Sequence, residues 1–341
     1  MRDTGEGGND EAATFPMQYR HSEDTAMPVT RGDSEALLAE AAARAIVPMA
    51  GLFGPDSASW KINREAALFL GAGRAALLQL AHPWVTAALA EHSSLQARPI
   101  ARFHNTFRVV FAMVFGSLEQ ALKAARSLYA LHERIQGEMP ESVAAYGRGS
   151  HYRANETGAL RWVYATLVES AVMAFECALG PLAAAEREAF YAETKTLAAL
   201  FGLSASALPA DWGAFCEYVQ ATVASDVLGV SEMARSMAQN LLAGAGSWIR
   251  PPEWYRALTA LWLPERLREE FELRLGEDDR RTAERALRRI PRLYRRLPPA
   301  IRFIGPWHEA QARLASRREG WVTGLSSRFW IGQARLPFGD G

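Results

Sequence analysis

The sequence has few of the residues that a disulfide framework or a metal cluster needs. Only two cysteines occur among 341 residues, Cys177 and Cys216, and both lie in helical patterns rather than in a CxxC pair. This argues against a disulfide scaffold, a zinc knuckle and a covalently attached c-type haem, and it favours a reducing cytoplasm as the compartment. An excess of one charge is also absent, because 38 Lys and Arg residues balance 38 Asp and Glu residues. No nucleic-acid partner is therefore expected.

Apolar runs of membrane-spanning length are missing too. The most apolar window, residues 159–185, contains Arg161, Glu169 and Glu176, whereas a spanning helix needs about 20 predominantly apolar residues. We interpret this window as a buried helix of a soluble domain. Residues 1–33 lack the basic start and apolar core of a secretory signal and are rich in Gly, Asp, Glu, Thr and Pro. They predict a disordered N-terminal tail.

The rest of the chain has the pattern of an all-α protein. Ala, Leu, Glu and Arg dominate, and apolar residues recur at spacings of three and four. Helices are predicted over residues 34–48, 63–82, 84–92, 100–115, 118–136, 156–179, 183–201, 211–224, 231–242, 251–261, 264–273 and 277–297. The residue types at four positions are those favoured as helix N-caps: Ser117, Ser204, Asp211 and Ser231.

No stretch of linker composition divides this pattern into separate domains. We therefore predict one helical domain over residues 34–304 and a loose C-terminal extension over residues 305–341. The run Gly71-Ala-Gly73-Arg-Ala-Ala76 imitates a dinucleotide-binding turn, with Glu91 at the distance of a ribose-binding acid. Such a turn must join a strand to a helix in a parallel sheet. No such alternation follows, so a close helix contact is the favoured interpretation.

Four of the seven histidines fall between Leu77 and Gly137, and each has a helix-like apolar context. They are His82, His92, His104 and His132. A neutral imidazole can ligate a metal or haem iron, but a hydrogen-bonded core or boundary histidine is the more common case. His82 precedes Pro83, which predicts a break in the helix, most simply a packing kink. His92 has the context of a helix C-terminus, and His104 could face solvent or a pocket.

Spacing argues against two metal classes. His132-Glu133 begins the HExxH pattern of a zinc protease, but Gln136 stands where the second histidine is needed. None of the histidines has a glutamate three residues before it, as a di-iron bundle requires. A haem slot between apolar helices remains compatible with the pattern.

For a haem slot, His132 is the best candidate ligand, because Leu128, Leu131 and Ile135 flank it on an apolar helical face. A histidine bonded to a carbonyl or carboxylate near a helix C-terminus is the competing interpretation. The candidate cations for the haem propionates are Arg102, Arg108 and Arg134. Thr106 lies four residues after Arg102 and so shares its helix face.

The order of longer motifs carries a resemblance to a known family. RAALLQLAHPWVTAALAEHS is followed by ARFHNTFRVVFAMVFGSLEQA, YALHERIQG, LRWVYATLVESAVMAFE and FYAETKTLAALFGLSASALPADWGAFCEYV. This order, over about residues 63–303, resembles the oxygenase domain shared by latex clearing protein, a rubber oxygenase, and the fungal oxygenase MpaB. The resemblance implies an all-α fold with a globin-related core. For the rubber oxygenases it also implies haem b with a histidine ligand and oxidative cleavage of an isoprenoid double bond by O2.

Individual residues carry over one at a time. His132 of YALHERIQG resembles the proximal haem ligand, and Arg102 and Thr106 resemble the arginine and threonine of the distal Arg-x-x-Lys-Thr pattern. The chain departs from the family at four positions. Asn105 replaces the distal lysine, Tyr129 and Gln136 replace two arginines, and Tyr164 replaces a frequent histidine of WVHATL. Tyr164 could supply a donor, although a phenol is a poorer base than imidazole near neutral pH.

Two functional hypotheses follow. The first is a cytoplasmic haem b-dependent oxygenase or related oxidoreductase that acts with O2 on a hydrophobic substrate, isoprenoid or acyl in class. O2 would bind opposite His132, with Arg102, Thr106 and Tyr164 as catalytic residues. Four residues of the same helix as Arg102 would form part of the substrate wall: Phe107, Val110, Phe111 and Val114. The second hypothesis is a haem-free helical binding protein for a lipid-like ligand.

The arginine-rich run over residues 280–302 allows a further interpretation. It carries nine arginines against one glutamate and could make a peripheral contact with an anionic membrane. The simpler interpretation is a solvated amphipathic helix with an ordinary core-facing stripe. The stripe residues are Leu287, Ile290, Leu293 and Leu297.

Overall fold

Helices make up nearly all of the regular structure in the computed structural model, which describes residues 27–92, 99–245 and 250–339. The predicted all-α class is confirmed, while a relationship of the core to globins stays a prediction. The α-helices of the described residues are α1 (Arg31–Ala43), α2 (Ala58–Asn63), α3 (Ala72–Leu80), α4 (Pro83–His92), α5 (Pro99–Phe115), α6 (Leu118–His132), α7 (Thr157–Leu179), α8 (Ala184–Leu200), α9 (Trp212–Ala224), α10 (Glu232–Ala243), α11 (Glu253–Trp262), α12 (Glu265–Glu270), α13 (Glu277–Tyr294), α14 (Pro299–Arg302), α15 (Gly305–Leu314) and α16 (Trp321–Ile331).

The side chains of three predicted N-caps each accept a hydrogen bond from a backbone amide in the first turn of the helix. Ser117 accepts from the Gln120 amide in a full capping box, Asp211 from the Ala214 amide, and Ser231 from the Ala234 amide. Ser204 begins only a short 3-10 helix, and its side chain makes no capping bond there. The capped starts explain why these helix beginnings follow directly from the sequence.

The predicted disordered tail is partly wrong. α1 begins at Arg31, three residues earlier than predicted, because Thr30 and Asp33 form a capping box. Val29 is buried, and its amide donates to the Asn155 carbonyl at 2.8 Å. Residues 27–33 therefore belong to the folded protein, whereas residues 1–26 lie outside the described part of the chain.

A small antiparallel sheet replaces the end of the helix predicted over residues 118–136. α6 ends at His132, and β1 (Gln136–Glu138) pairs with β2 (His151–Arg153). Gly137 lies opposite Tyr152, where an added Cβ would come within 2.5 Å of the tyrosine hydroxyl. The helix propensity of the sequence is thus overridden by a tertiary contact that only glycine permits.

The break predicted at Pro83 is present, and its freed backbone groups have partners. α3 ends at Leu80 and α4 begins at Pro83. The Leu80 carbonyl accepts from the Thr86 hydroxyl at 2.6 Å, and the Ala81 carbonyl accepts from the Gly229 amide at 2.8 Å. The break is therefore a packing kink that anchors a distant loop to the helix pair.

α7 is the central helix of the core. It is long and apolar enough to cross a membrane, but 56% of its most apolar window is buried inside the protein. Its inward side chains include Trp162, Tyr164 and Val168, which pack in the main cluster with residues of α3 and α8. This burial agrees with the interpretation of residues 159–185 as a core helix.

The C-terminal segment is not a loose extension. α15 and α16 pack on each other and on α5, and Ile331 and Leu336 are buried in a second core cluster. The ring of Trp330 stacks on Phe69 with centroids 4.0 Å apart. The prediction overlooked these apolar residues because arginines and glycines separate them in the sequence.

The stripe predicted for the arginine-rich helix is only partly core-facing. Ala283 and Ala286 of α13 are buried, and Leu287 and Ile290 are half-buried, but Leu293 and Leu297 are exposed. The core-facing residues of α13 thus lie before its last turn, whereas Leu293 in that turn and Leu297 beyond the helix lie at the surface. The prediction that all four members of the stripe face the core is wrong.

The run from Gly71 to Ala76, which imitates a dinucleotide-binding turn, forms a close helix contact, as predicted. Gly71 divides the helix predicted over residues 63–82 into a 3-10 helix and α3. An added Cβ on Gly71 would lie 2.5 Å from the Ser170 carbonyl oxygen of α7, and one on Gly73 would lie 2.7 Å from the Thr259 hydroxyl of α11. The glycines let α3 pack directly on both helices.

We predict that Gly71→Ala destabilises the protein, because the carbonyl it would meet belongs to rigid helix backbone. Overpacking of this kind costs about 1–3 kcal/mol, and the Tm should fall by about 2–4 °C for each kcal/mol lost. Thermal unfolding followed by circular dichroism measures the change. Gly147→Ala is the matched control, since no atom lies within 4 Å of its added Cβ; equal Tm values for both variants would contradict the prediction.

Candidate functional site

An apolar cavity of about 310 Å³ lies between α3, α5, α7 and α8. The α5 wall consists of Arg102, Phe103, Thr106, Phe107, Val110, Phe111 and Val114. The opposite wall is lined by small residues of α3, Ala72, Gly73, Ala75 and Ala76 among them. Space therefore remains between the large side chains of α5 and the short side chains of α3. The predicted wall of Phe107, Val110, Phe111 and Val114 is confirmed as cavity lining.

Among the described residues that line the cavity, Arg102 is the one with a charged side chain. Burial lowers the pKa of its guanidinium below the ordinary value, although it stays a cation near neutral pH. Thr106 lines the cavity one turn along α5, and its hydroxyl donates to the Arg102 carbonyl at 3.1 Å. Arg102 and Thr106 therefore lie on one wall of the cavity. Because the Thr106 hydroxyl donates its proton to the Arg102 carbonyl, its oxygen can still accept a hydrogen bond.

His132 lies beside the Arg102 end of the cavity but is not part of its lining. α5 and α6 form an antiparallel pair joined by Gly116 and Ser117, so the start of α5 and the end of α6 meet. The apolar surroundings lower the pKa of His132 to about 4, and the positive charge of Arg102 lowers it further in the same direction. The imidazole is therefore neutral near pH 7.

The other two predicted propionate partners lie elsewhere. Arg108 points away from the cavity, where its Nε and a terminal nitrogen donate to the Ile331 carbonyl at 3.2 and 3.1 Å. Arg134 is exposed in the turn after α6, and Asn105 is exposed on α5. Of the three arginines, the structure brings Arg102 alone to the cavity.

Tyr164 is buried behind the cavity wall rather than in it. Its hydroxyl lies 2.8 Å from Oγ1 of Thr194, a residue that lines the cavity. Thr194 donates its own proton to the Tyr191 carbonyl at 2.7 Å, so Tyr164 must be the donor to Thr194. Burial raises the pKa of the Tyr164 phenol well above its usual value. The phenol therefore supports the wall from behind, and its proton is engaged by Thr194.

The remaining histidines of the predicted cluster bond to other parts of the structure. His82 is buried with its Nε2 3.4 Å from the Tyr146 hydroxyl. His92 Nε2 lies 3.2 Å from the Gln136 carbonyl, and His104 Nε2 lies 3.0 Å from the Phe329 carbonyl in α16. The four histidines therefore do not form one site, and Arg102 contributes to lowering the pKa of His132.

Sequence reasoning missed the polar residues on the far side of the cavity. Arg74 is buried and donates to Glu169 at 2.6 Å, to the Ser170 hydroxyl at 3.0 Å and to the Trp262 carbonyl at 3.0 Å. Ser170 lines the cavity. A signal was available in the charged residues of the most apolar window, Glu169 among them, since buried charges require a partner.

Two further polar lining residues were also missed. The Tyr255 hydroxyl accepts from the Gly73 amide and donates to the Phe69 carbonyl, each at 2.9 Å, and burial raises its pKa to about 12. The Gln79 amide donates to the Thr166 hydroxyl at 3.0 Å. Neither residue belongs to a recognisable motif, so only the tertiary structure reveals them.

Within the described ranges, no group of three or more His, Cys, Asp or Glu side chains could together hold a metal ion. The site is instead an internal apolar cavity with one arginine, a few hydroxyl and amide groups, and a neutral imidazole beside the arginine. These features define a class: a helical domain with an internal apolar cavity that has a polar end, the form typical of small-molecule sites.

Comparison with known protein families identifies the family to which this domain belongs. The catalytic-domain model described as ER-bound oxygenase mpaB/B'/rubber oxygenase matches residues 60–296, more than half of the chain. The chain belongs to this oxygenase family, which confirms the resemblance drawn from motif order. A search of curated proteins and a search of solved structures each found no significant match.

We predict that Tyr164→Phe lowers stability without altering the cavity. Losing one buried hydrogen bond should reduce the free energy of unfolding by about 0.5–1.5 kcal/mol, while the affinity for a fluorescent fatty-acid analogue should stay at the wild-type value. Tyr255→Phe is the contrasting variant, because that hydroxyl lines the cavity. Urea unfolding and ligand titration measure both effects. Unchanged stability with lost ligand affinity in Tyr164→Phe would show that its hydroxyl reaches the ligand.

The lowered pKa of His132 predicts a pH dependence of stability. The unfolded imidazole binds a proton below about pH 6.5, whereas the folded one stays neutral until about pH 4. Because the unfolded state binds more protons between these values, stability is full above pH 6.5 and falls as the pH decreases towards 4. His132→Gln should lose less stability than wild type between pH 7 and about pH 4.5, by about 2 kcal/mol.

Urea unfolding at the two pH values measures this difference. His151→Gln is the matched control, since it makes the same substitution at a side chain that is 78% exposed. The prediction is wrong if His132→Gln and wild type lose the same free energy of unfolding.

Proposed function

We propose that this protein is a haem b-dependent oxygenase or related oxidoreductase, with His132 as the iron ligand and O2 as co-substrate. The substrate is hydrophobic, isoprenoid or acyl in class, and occupies the apolar cavity. The observation that carries the proposal is the neutral imidazole of His132 beside Arg102 at one end of that cavity. Membership of the oxygenase family supports the reaction class, and the scarcity of cysteine supports a cytoplasmic location.

The residues at this end fit a haem group by their chemistry. A neutral imidazole has the free lone pair that iron needs, and the pKa of about 4 keeps His132 in this form at neutral pH. The Arg102 guanidinium offers a cation for a propionate or for an anionic oxygen. When bound, haem would supply the iron that activates O2.

The chain's own residues would confine and orient the substrate. Phe107, Val110, Phe111 and Val114 line an apolar wall that excludes water from the substrate. Arg102 and Thr106 place a donor group and an acceptor on the same wall, where preorganised groups of this kind would stabilise developing charge. Because Asn105 is exposed and uncharged, Arg102 carries the role that a lysine and an arginine share in the rubber oxygenase pattern.

The test is the absorption spectrum of the purified protein after haem reconstitution. We expect a Soret band in wild type and its loss or strong weakening in His132→Ala, because the axial ligand is removed. His151→Ala is the matched control, as this exposed histidine lies on β2 away from the cavity. Stoichiometric haem retained with an unchanged spectrum in His132→Ala would reject the ligand assignment.

The haem-free alternative is a helical binding protein for a lipid-like ligand, which the apolar lining of the cavity favours. Protein that stays colourless after reconstitution but copurifies with a lipid would support this alternative over the oxygenase. Extraction with organic solvent and mass spectrometry of the extract detect such a ligand. Reduction with dithionite and addition of CO before a second spectrum distinguish bound haem from a coloured contaminant.

A further inference from the structure

α16 has apolar side chains on two opposite faces. On the inner face, Ile331 is buried and Trp330 is half-buried against α5 and Phe69. Four large apolar residues are exposed on the outer face: Trp321 (78%), Val322 (48%), Leu325 (52%) and Phe329 (54%). We call these four residues the outer α16 stripe. Isolated exposed apolar residues are common at protein surfaces, but four on one helix face form a continuous patch.

Helix geometry makes the outer α16 stripe a single surface. Trp321, Leu325 and Phe329 are spaced by four residues, so they lie in one row along the helix, and Val322 lies beside Phe329 and Leu325. The inward residues lie on the opposite side of the same helix. An ordinary surface helix has a polar outer face, so the packing of α16 on α5 does not explain the stripe.

Unpaired cations border the outer α16 stripe. Arg317 and Arg318 precede α16, and Arg328, seven residues after Trp321, lies at the edge of the stripe on the Trp321 side. All three arginines are exposed, and none forms an ion pair with any residue in the described ranges. The nearby acid Glu319 is paired with Arg335 at 3.1 Å. The patch therefore has an apolar centre and a positive border.

The outer α16 stripe is next to the cavity wall. The Phe329 carbonyl accepts the bond from His104 of α5, and Trp330 stacks on Phe69. Phe69 in turn contacts Phe103, a cavity-lining residue, with ring centroids 5.2 Å apart. The successive ring contacts of Trp330, Phe69 and Phe103 thus connect α16 to the cavity wall beside Arg102.

We propose that the outer α16 stripe docks on the surface of an anionic lipid bilayer. Trp, Phe and Leu on one face with arginines at the border are the composition of a helix that lies in a membrane interface. A second copy of the chain is the less favourable occupant, because a symmetric contact would place the same arginines against each other. The surface lies outside residues 60–296, and the proposal does not depend on haem.

Vesicle flotation with the full chain tests the proposal. Wild type should bind vesicles of equimolar phosphatidylcholine and phosphatidylglycerol, bind phosphatidylcholine alone much more weakly, and lose affinity as the salt concentration rises. Reversal of all three cations in the variant R317E/R318E/R328E should weaken binding about fivefold per arginine, on the order of 100-fold in total. This variant keeps the apolar residues, so it isolates the charge.

The variant W321S/L325S/F329S removes the apolar row and should weaken binding by about tenfold or more. The matched control is L293S/L297S/I301S, which removes three other exposed apolar residues beside the arginine-rich α13. Unchanged thermal unfolding of both variants verifies their folding. Loss of binding in the α16 variant with retention in the control supports the proposal.

Three results would overturn the proposal. One is wild-type protein that floats with neither type of vesicle. Another is loss of binding in the L293S/L297S/I301S variant alone, which would move the membrane contact to α13 and α14. The third is a wild-type dimer by analytical ultracentrifugation that the W321S/L325S/F329S variant converts to a monomer, which would assign the surface to contact between copies of the chain.

Discussion

The buried guanidinium of Arg74 is the charge around which the central helices are arranged. A cation removed from water is costly unless an anion and other acceptors surround it. Glu169 and Ser170 of α7 and the carbonyl of Trp262 at the end of α11 meet this requirement. α3 must therefore approach both helices closely, and Gly71 permits the approach because it has no side chain to strike α7. Satisfying one charge thus determines where three helices lie.

The same close packing has a second effect on the opposite face of α3. This helix presents Ala72, Ala75 and Ala76 towards α5, and these short side chains do not reach the aromatic residues of that helix. The space between them is the apolar cavity. Arg102 lies on α5 at one end of the cavity. Arg74, which organises the packing of the helices, lies on α3. Substitutions that disturb one need not disturb the other.

Periodicity and capping residues are local, and the sequence predicted what depends on them. The helix starts at Ser117, Asp211 and Ser231 follow from caps, and the shared face of Arg102 and Thr106 follows from a spacing of four. What the sequence could not predict depends on contacts between distant residues: the sheet after α6, the ion pair of Arg74, the packed C-terminal helices and the position of Tyr164 behind Thr194. These features become visible only when the helices are placed against each other.

The two-residue connection between α5 and α6 has a consequence for the order of assembly. Gly116 and Ser117 join helices that contact each other along their length, and contacts that are near in sequence form faster than distant ones. Arg102 and His132 lie at the open end of this helical pair, so they can meet without α3 or α7. We expect the pair to exist as a nucleus on which the cavity later closes.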